Sequence, residues 1–230
     1  MRTTPPGTFI TFEGLDGCGK STQLEKLASA LRQASYKVVT TREPGGTGIG
    51  DSIRTILLDS RTVRLSPLAE LALMFAARAQ HISEIIAPAI EAGSVVLCDR
   101  FTDSSEAYQG GGRKLGSEPI LTLHRVLCGG LQPDLTIWMD SEVAASVARA
   151  RRRNRSRSAQ NGAGKSDEGR FEQESRDFFQ RVRQAYVAIA QREPQRVLRV
   201  NARRAISTVH RNILEKVTQH LTLRARTQAK

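Results

Sequence analysis

The segment over residues 14–21 constrains the fold of this chain more than any other, because it reads Gly-Leu-Asp-Gly-Cys-Gly-Lys-Ser. This is the pattern G-x-x-x-x-G-K-[ST], and it lies between a short β-prone run at residues 9–12 and a helical pattern at residues 20–33. Glycines let the backbone curl so that successive N–H groups point at phosphate oxygens, and the next helix directs its positive end at the same anion. The sequence therefore predicts a phosphate-binding loop (P-loop) between the first strand and the first helix.

Such a loop binds a nucleoside triphosphate and Mg²⁺. Lys20 is expected to reach the β- and γ-phosphates, and the Ser21 hydroxyl is placed for the metal ion. The residues predicted to hold the triphosphate are Gly14, Leu15, Asp16, Gly17, Cys18, Gly19, Lys20, Ser21 and Thr22. Cys18 is either a reactive thiol in a positive environment or a small residue that merely fits.

Apolar, β-rich runs alternate with helical patterns along the rest of the chain. The five runs are residues 9–12, 37–41, 94–98, 134–139 and 196–200. The helical patterns are residues 20–33, 67–91, 118–127, 142–153, 172–191 and 205–221, within a total of about seven helices. This order predicts an α/β fold, with a five-stranded parallel sheet covered by helices on both faces.

The length of 230 residues suits a single domain, which we place at residues 1–222, followed by a basic, flexible tail at 223–230. Residues 154–169 are rich in Ser, Asn, Gly and Arg, so we predict a mobile loop there. It is either a surface insertion or part of a flexible lid spanning about 149–170.

The chain carries 35 basic and 23 acidic residues, a formal charge of +12. Six of the nine residues at 149–157 are arginine, so the excess is concentrated late in the chain. This charge attracts polyanions, but aromatic residues that could stack on bases make up only 5%.

Neither a membrane span nor a signal peptide is visible, and three widely spaced cysteines favour a reducing cytoplasm.

Polar residues follow the second and third strands, where ligands bind in open parallel sheets. Asp99 can hold Mg²⁺ through water, and Arg100 and Arg42 can each bind a second phosphate. Asp99 and Arg100 alone would suggest a surface ion pair, but their position at the end of a strand favours a functional role. Ser105 and Gln109 are four residues apart, so they share a helix face on which a hydroxyl and an amide could read the edge of a base.

Several longer segments resemble the thymidylate kinase family. They are Phe-Glu-Gly-Leu-Asp-Gly-x-Gly-Lys-Ser, Thr-Arg-Glu-Pro-Gly-Gly-Thr, Phe-Ala-Ala-Arg-Ala-Gln-His, Asp-Arg-Phe-Thr-Asp-Ser-Ser-x-Ala-Tyr-Gln-Gly-Gly-Gly-Arg and Gly-Arg-Phe-Glu-Gln-Glu, and together they cover most of residues 8–190. The resemblance implies a P-loop kinase with a basic lid. It implies transfer of the γ-phosphoryl group of ATP to thymidine monophosphate (dTMP), giving dTDP and ADP, and a homodimer formed through the helix at 67–91.

The resemblance also assigns roles to individual residues. Those expected at dTMP are Asp16 at the 3′-hydroxyl, Tyr108 against the sugar 2′ position, Arg42 and Arg100 at the phosphate, and Phe75, Arg78, Ser105 and Gln109 at thymine. Many members have their aromatic residue where this chain has Met74, so either Met74 or Phe75 could stack on the base. The peptide bond before Pro44 resembles the cis-proline turn of the family.

Some members carry an arginine inside the P-loop, whereas this loop has none. The resemblance therefore implies that the lid supplies the catalytic cation, and Arg149, Arg151 and Arg153 are the candidates beside Lys20 and Arg100. Two alternatives remain at this stage: a kinase for another nucleoside monophosphate, and a basic nucleic-acid-binding protein with a P-loop.

Overall fold

A computed structural model describes residues 7–62, 65–161 and 169–228. The strands are β1 (Thr8–Glu13), β2 (Val38–Arg42), β3 (Val95–Asp99), β4 (Leu135–Asp140) and β5 (Val197–Asn201). The helices are α1 (Lys20–Gln33), α2 (Gly48–Leu58), α3 (Pro67–His81), α4 (Ala87–Glu91), α5 (Thr102–Ser105), α6 (Glu118–Leu127), α7 (Val143–Asn161), α8 (Arg176–Arg192) and α9 (Ile206–Gln228). Two π-helical turns, Ile82–Ile86 and Glu106–Gly112, and one 3₁₀ turn, Phe171–Gln173, complete these elements.

The five strands form one parallel sheet in the order β2-β3-β1-β4-β5, which confirms the predicted fold class. The three central strands are buried almost throughout, whereas the edge strands β2 and β5 are partly exposed. Residues of β1 alternate between the two faces: Ile10 packs with α1 and α9, and Phe9 packs with Ile86 of the first π turn. The polar carboxyl ends of β1 and β3 therefore lie together at one edge, between two apolar layers.

The long helix predicted at residues 67–91 is present as α3, the π turn Ile82–Ile86 and α4 in direct succession. Ser66 caps α3, since its hydroxyl accepts a hydrogen bond from the Ala69 N–H, and Pro67 occupies the first turn. This helix brings residues from its middle to the carboxyl edge of the sheet.

One prediction about a flexible segment was wrong in part: residues 154–161, predicted as part of a loop, continue helix α7. Residues 223–228 continue α9, and the flexibility expected of this tail stays a prediction. Alanine has the highest helix propensity, arginine and glutamine are close to leucine, and neither segment contains glycine or proline. The remaining parts of both predictions, residues 162–168 and 229–230, lie outside the described residues. No helix in the described part is long and apolar enough to cross a membrane.

Candidate active site

The P-loop curls tightly between β1 and α1, as predicted. Gly14, Gly17 and Gly19 all have positive φ, at 133°, 79° and 99°. A Cβ atom on Gly17 would lie 2.3 Å from the Ser146 carbonyl oxygen, so only glycine fits where the loop passes under α7. The loop backbone is thereby confined to the curve that presents N–H groups at the start of α1.

The two polar side chains at the end of the P-loop have defined partners. The Lys20 ammonium group is buried and donates to the carbonyls of Gly14 and Leu15, both at 3.2 Å. The Ser21 hydroxyl donates to Asp99 Oδ2 at 2.9 Å, which brings the two predicted metal ligands together from α1 and β3. Asp99 Oδ1 is buried without a hydrogen-bond partner among the described residues, so this oxygen is available to a cation or its water.

Arg100 lies at the centre of the site and has a positive φ of 75°. Its guanidinium group donates to Asp16 Oδ1 at 2.8 Å, to the Ser104 hydroxyl at 2.9 Å and to the Tyr108 hydroxyl at 3.2 Å. It also lies 4.9 Å from the centroid of the Tyr108 ring. The carboxyl end of β3 is thus tied to the P-loop through one cation.

Charges within the site fix the ionisation of Asp16. Burial alone would raise the pKa of this carboxyl group, but the nearby charges of Arg100 and Lys20 outweigh burial and hold the pKa well below its usual range. For Cys18, burial dominates and raises the pKa of the thiol. Cys18 is only 4% exposed, so the structure supports the reading of a small packing residue and not of a reactive thiol.

Arg78 is fixed on three sides deep in the site. Its guanidinium group donates to Glu43 Oε2 at 2.6 Å, to the Phe101 carbonyl at 3.1 Å and to the Ser105 hydroxyl at 3.0 Å. The group also lies 4.6 Å from the centroid of the Phe75 ring. Its Nη1 atom is buried and has no hydrogen-bond partner in the described part of the chain. One donor of Arg78 is therefore left for a ligand.

Two neighbouring cavities surround these residues. The inner cavity is lined by Asp16, Glu43, Pro44, Arg54, Leu58, Met74, Arg78, Arg100, Ser104, Ser105, Tyr108, Gln109, Arg153, Asn154, Phe171 and Glu172. The P-loop cavity is lined by Asp16, Gly17, Gly19, Lys20, Ser21, Thr22, Arg42, Glu43, Arg54, Asp99, Arg100, Arg149 and Arg153. Both cavities share Asp16, Glu43, Arg54, Arg100 and Arg153, so a ligand in one would meet a ligand in the other at these side chains.

Most of the residues predicted for an acceptor lie at these cavities, but Phe75 does not. Its side chain is fully buried below Arg78, against Leu71 and Ile120, whereas Met74 lines the inner cavity. Residues 74 and 78 are four apart and share one helix side, while residue 75 is turned toward the core. The Glu43–Pro44 peptide bond is cis, as the resemblance implied.

The three candidate arginines of α7 point to different places. Arg149 and Arg153 line the P-loop cavity, and the Arg149 side chain donates to the Gly17 carbonyl at 2.7 Å. The Arg151 side chain instead donates to the backbone carbonyls of Glu172 and Glu174, at 2.8 and 3.2 Å. The structure therefore brings two of the three arginines to the phosphate side of the site and leaves Arg151 outside it.

Sequence reasoning missed three buried acids. Glu43 links Arg78 to His81, and Glu70 lies behind Gln109. Glu13 accepts hydrogen bonds from the Phe101 N–H at 2.7 Å and the Tyr186 hydroxyl at 2.8 Å, and burial raises its pKa to about 7. The sequence shows only that each of these acids lies near a recognised motif. It does not reveal that Glu13 and Glu70 are buried, because the residues that bind them lie far away in the sequence.

The parallel sheet, the glycine-rich loop and the paired cavities define a P-loop kinase with two adjoining ligand compartments. The family model for thymidylate kinase matches residues 12–213. A curated thymidylate kinase from Pelobacter propionicus is 45% identical over 93% of this chain and 95% of its own length, and one from Geobacter sulfurreducens is 50% identical over 83% and 86%. A crystal structure of thymidylate kinase from Ehrlichia chaffeensis superposes with a TM-score of 0.73, at 31% identity, over 93% of this chain and 100% of that one. The chain belongs to the thymidylate kinase family.

Proposed function

We infer that this chain transfers the γ-phosphoryl group of ATP to dTMP, giving dTDP and ADP. The observation that carries this inference is the pair of adjoining cavities, which share Arg54, Arg100 and Arg153 and the acids Asp16 and Glu43. Phosphoryl transfer depends mainly on holding donor and acceptor in line and on neutralising the charge that they share. Two compartments that meet at cationic side chains provide this arrangement.

The P-loop cavity would take the triphosphate of ATP. Backbone N–H groups of the loop and the start of α1 would bind its oxygens, and Lys20, 6% exposed at the base of the loop, would neutralise the β- and γ-phosphates. Ser21 and Asp99 fit a magnesium ion, since the Ser21 hydroxyl contacts Asp99 Oδ2 and the other oxygen of the same carboxylate, Oδ1, has no partner among the described residues. A bound Mg²⁺ would screen the charge between the phosphates.

The inner cavity would take dTMP. Arg78 Nη1 and Gln109 would hydrogen-bond the thymine edge, with Ser105 holding the Arg78 guanidinium group and Met74 lying against the ring. Tyr108 would crowd the sugar 2′ position and so favour deoxyribose. The base would then point into the interior, with the phosphate at the mouth of the cavity.

The reacting phosphates would meet beside Arg100. This guanidinium group, with Arg42 at the rim of the P-loop cavity, would hold the acceptor phosphate, and Asp16 would approach the 3′-hydroxyl. Arg149 and Arg153 would stabilise the charge of the transferring group from the opposite side. We propose that residues 149–170 form a lid, of which residues 149–161 belong to α7, within one kinase domain at residues 1–222.

A coupled assay with dTMP, dUMP, dCMP and dGMP tests the acceptor. We expect turnover with dTMP to exceed turnover with dCMP and dGMP by at least about 10³-fold, because a site with fixed polar groups rejects a base that leaves them unpaired. Greater turnover with another nucleotide would assign the chain to a different acceptor. Tight binding of DNA or RNA at physiological salt, without kinase turnover, would favour the nucleic-acid alternative.

The exposed side of α3 supports a homodimer. It carries Leu68, 63% exposed, and the small residues Ala69, Ala72 and Ala76 in one stripe. Helix α2 packs beside α3 and adds exposed Ile49 and Ile56 to the same region of the molecule. Apolar helices of this kind form interfaces when a second copy covers them.

The three cysteines are buried free thiols, which accords with a reducing compartment such as the cytoplasm.

Replacing Leu68 by Glu together with Ala72 by Glu is expected to give a monomer. The two carboxylates would be buried without partners in a dimer, which costs several kcal/mol. Light scattering after size exclusion should show a mass near the chain mass of 25.3 kDa, about half that of the unmodified protein. Ile206→Glu, which changes a residue 57% exposed at the start of α9, is the control and should leave the mass unchanged. A dimer that persists in the double variant would place the interface elsewhere.

A further inference from the structure

A buried carboxylate lies directly behind the amide of Gln109. Glu70, on α3, has no exposed surface and accepts a hydrogen bond from Gln109 Nε2 at 2.8 Å. The Arg113 guanidinium group donates to both of its oxygens, at 3.2 and 3.0 Å, and the Arg170 guanidinium group donates to Oε2 at 2.6 Å. The carboxylate thus has two cations and one amide around it.

This environment keeps Glu70 ionised. Burial alone would raise its pKa, but the hydrogen bonds from Arg113 and Gln109 and the charge of Arg113 outweigh burial and lower the pKa. An ionised carboxylate has no proton to donate. Only the NH₂ end of the Gln109 amide can therefore face Glu70.

The orientation of one end of the amide fixes the other end. With Nε2 held by Glu70, Gln109 Oε1 is the end available to the inner cavity, and no donor meets it among the described residues. Arg78 also lines this cavity, and its buried Nη1 has no partner there. The cavity therefore has one unused acceptor in its wall, and Arg78, which lines the same cavity, keeps one buried nitrogen without a partner among the described residues.

We propose that Glu70 is a positioning residue that sets base specificity, by holding the Gln109 amide so that its oxygen faces the bound pyrimidine. This rests on the proposed function of the inner cavity. Thymine carries a donor at N3 and an acceptor at O4, which match Gln109 Oε1 and Arg78 Nη1. Cytosine carries an acceptor at N3 and a donor at its 4-amino group, so both contacts would be mismatched.

Replacing the Glu70 carboxylate by a neutral amide removes the interaction that holds the Gln109 amide in this orientation. In Glu70→Gln, Arg113 and Arg170 face a weaker acceptor, and the Gln109 oxygen can turn toward them. The NH₂ end of Gln109 would then face the cavity and could donate to N3 of cytosine. Thymine would lose an acceptor at the same position.

The test compares kcat/KM for dTMP and for 5-methyl-dCMP, two acceptors that share the methyl group and differ at the hydrogen-bonding edge. We expect Glu70→Gln to lower the ratio of the two values by about tenfold or more, since one polar contact is lost for one base and gained for the other. Glu106→Gln is the matched control. Glu106 is 3% exposed and paired with Arg192 at 2.7 and 2.8 Å, away from both cavities, so its loss should leave the ratio unchanged.

A second variant covers the case in which Glu70→Gln does not fold. Glu70→Gln with Arg113→Gln removes one negative and one positive charge together, and the same fall in the ratio is expected. A ratio that stays at the unmodified value in a folded variant, single or double, would overturn the role of Glu70. An unmodified enzyme that does not phosphorylate dTMP would instead overturn the proposed function, so the two failures can be told apart.

Discussion

Lys20→Ala should lower kcat for dTMP phosphorylation by about 10³-fold or more, since a preorganised charge at a transferring phosphoryl group contributes several kcal/mol to transition-state stabilisation. Lys20 is buried at the base of the P-loop, beside the carbonyls of Gly14 and Leu15. No other lysine lines the P-loop cavity in the described part of the chain, and the arginines that line it are not at the base of the loop.

The fold should survive this change. Two hydrogen bonds to backbone carbonyls and a 3.9 Å ion pair with Asp16 are lost, and the expected loss in the free energy of unfolding is about 1–2 kcal/mol. Lys26→Ala, at an exposed position on the same helix, is the control and should keep normal kcat. Turnover near normal in folded Lys20→Ala would reject the assignment of the P-loop as the ATP site.

The second large effect is expected at the arginines of α7. Replacing Arg149 and Arg153 together by Gln should lower kcat by about 10²–10³-fold, because arginines that face a transferring phosphoryl group stabilise its charge. The Km for dTMP should change less, because Arg149 lines only the P-loop cavity. Arg153 also lines the inner cavity, but it has no hydrogen bond to Arg78 or Gln109 in the described part of the chain.

Arg151 provides a control within the same helix. Its side chain donates to the carbonyls of Glu172 and Glu174 and does not line the P-loop cavity. Arg151→Gln should therefore cost some stability but keep kcat within a few-fold of the unmodified enzyme. If Arg151→Gln abolished turnover while the double variant kept it, our placement of the catalytic cations would be wrong.

The sheet could be predicted from the sequence because each of its strands is a short apolar run between turn signals. The central strands are buried on both faces, so their sequences are almost continuously apolar. The C-terminal end of α7 could not be predicted in the same way, because a run of arginine and serine is compatible with an exposed helix as well as with a disordered loop. Composition alone does not distinguish these two states.

The candidate site could be predicted only as far as local motifs reach. The P-loop, Asp99 and Arg100 follow strands directly, so the edge of the sheet brings them together. The contact of Glu70 with Arg170 joins residues 100 positions apart, and no local pattern reveals such a partner. Met74 and Phe75 are adjacent on one helix, yet Met74 lines the cavity and Phe75 lies in the core. The sequence alone does not fix the rotation of the helix closely enough to distinguish them.

The shared wall between the two cavities has a consequence for inhibitor design. Asp16, Arg100 and Arg153 are among the five residues that line both the proposed donor and the proposed acceptor compartment, so the two compartments adjoin. A single compound that joins a nucleoside to an adenosine through a polyphosphate tether could fill both compartments at once. Tethering makes the second contact intramolecular, so avidity could exceed that of either half by about 10²-fold or more when the tether length matches the gap.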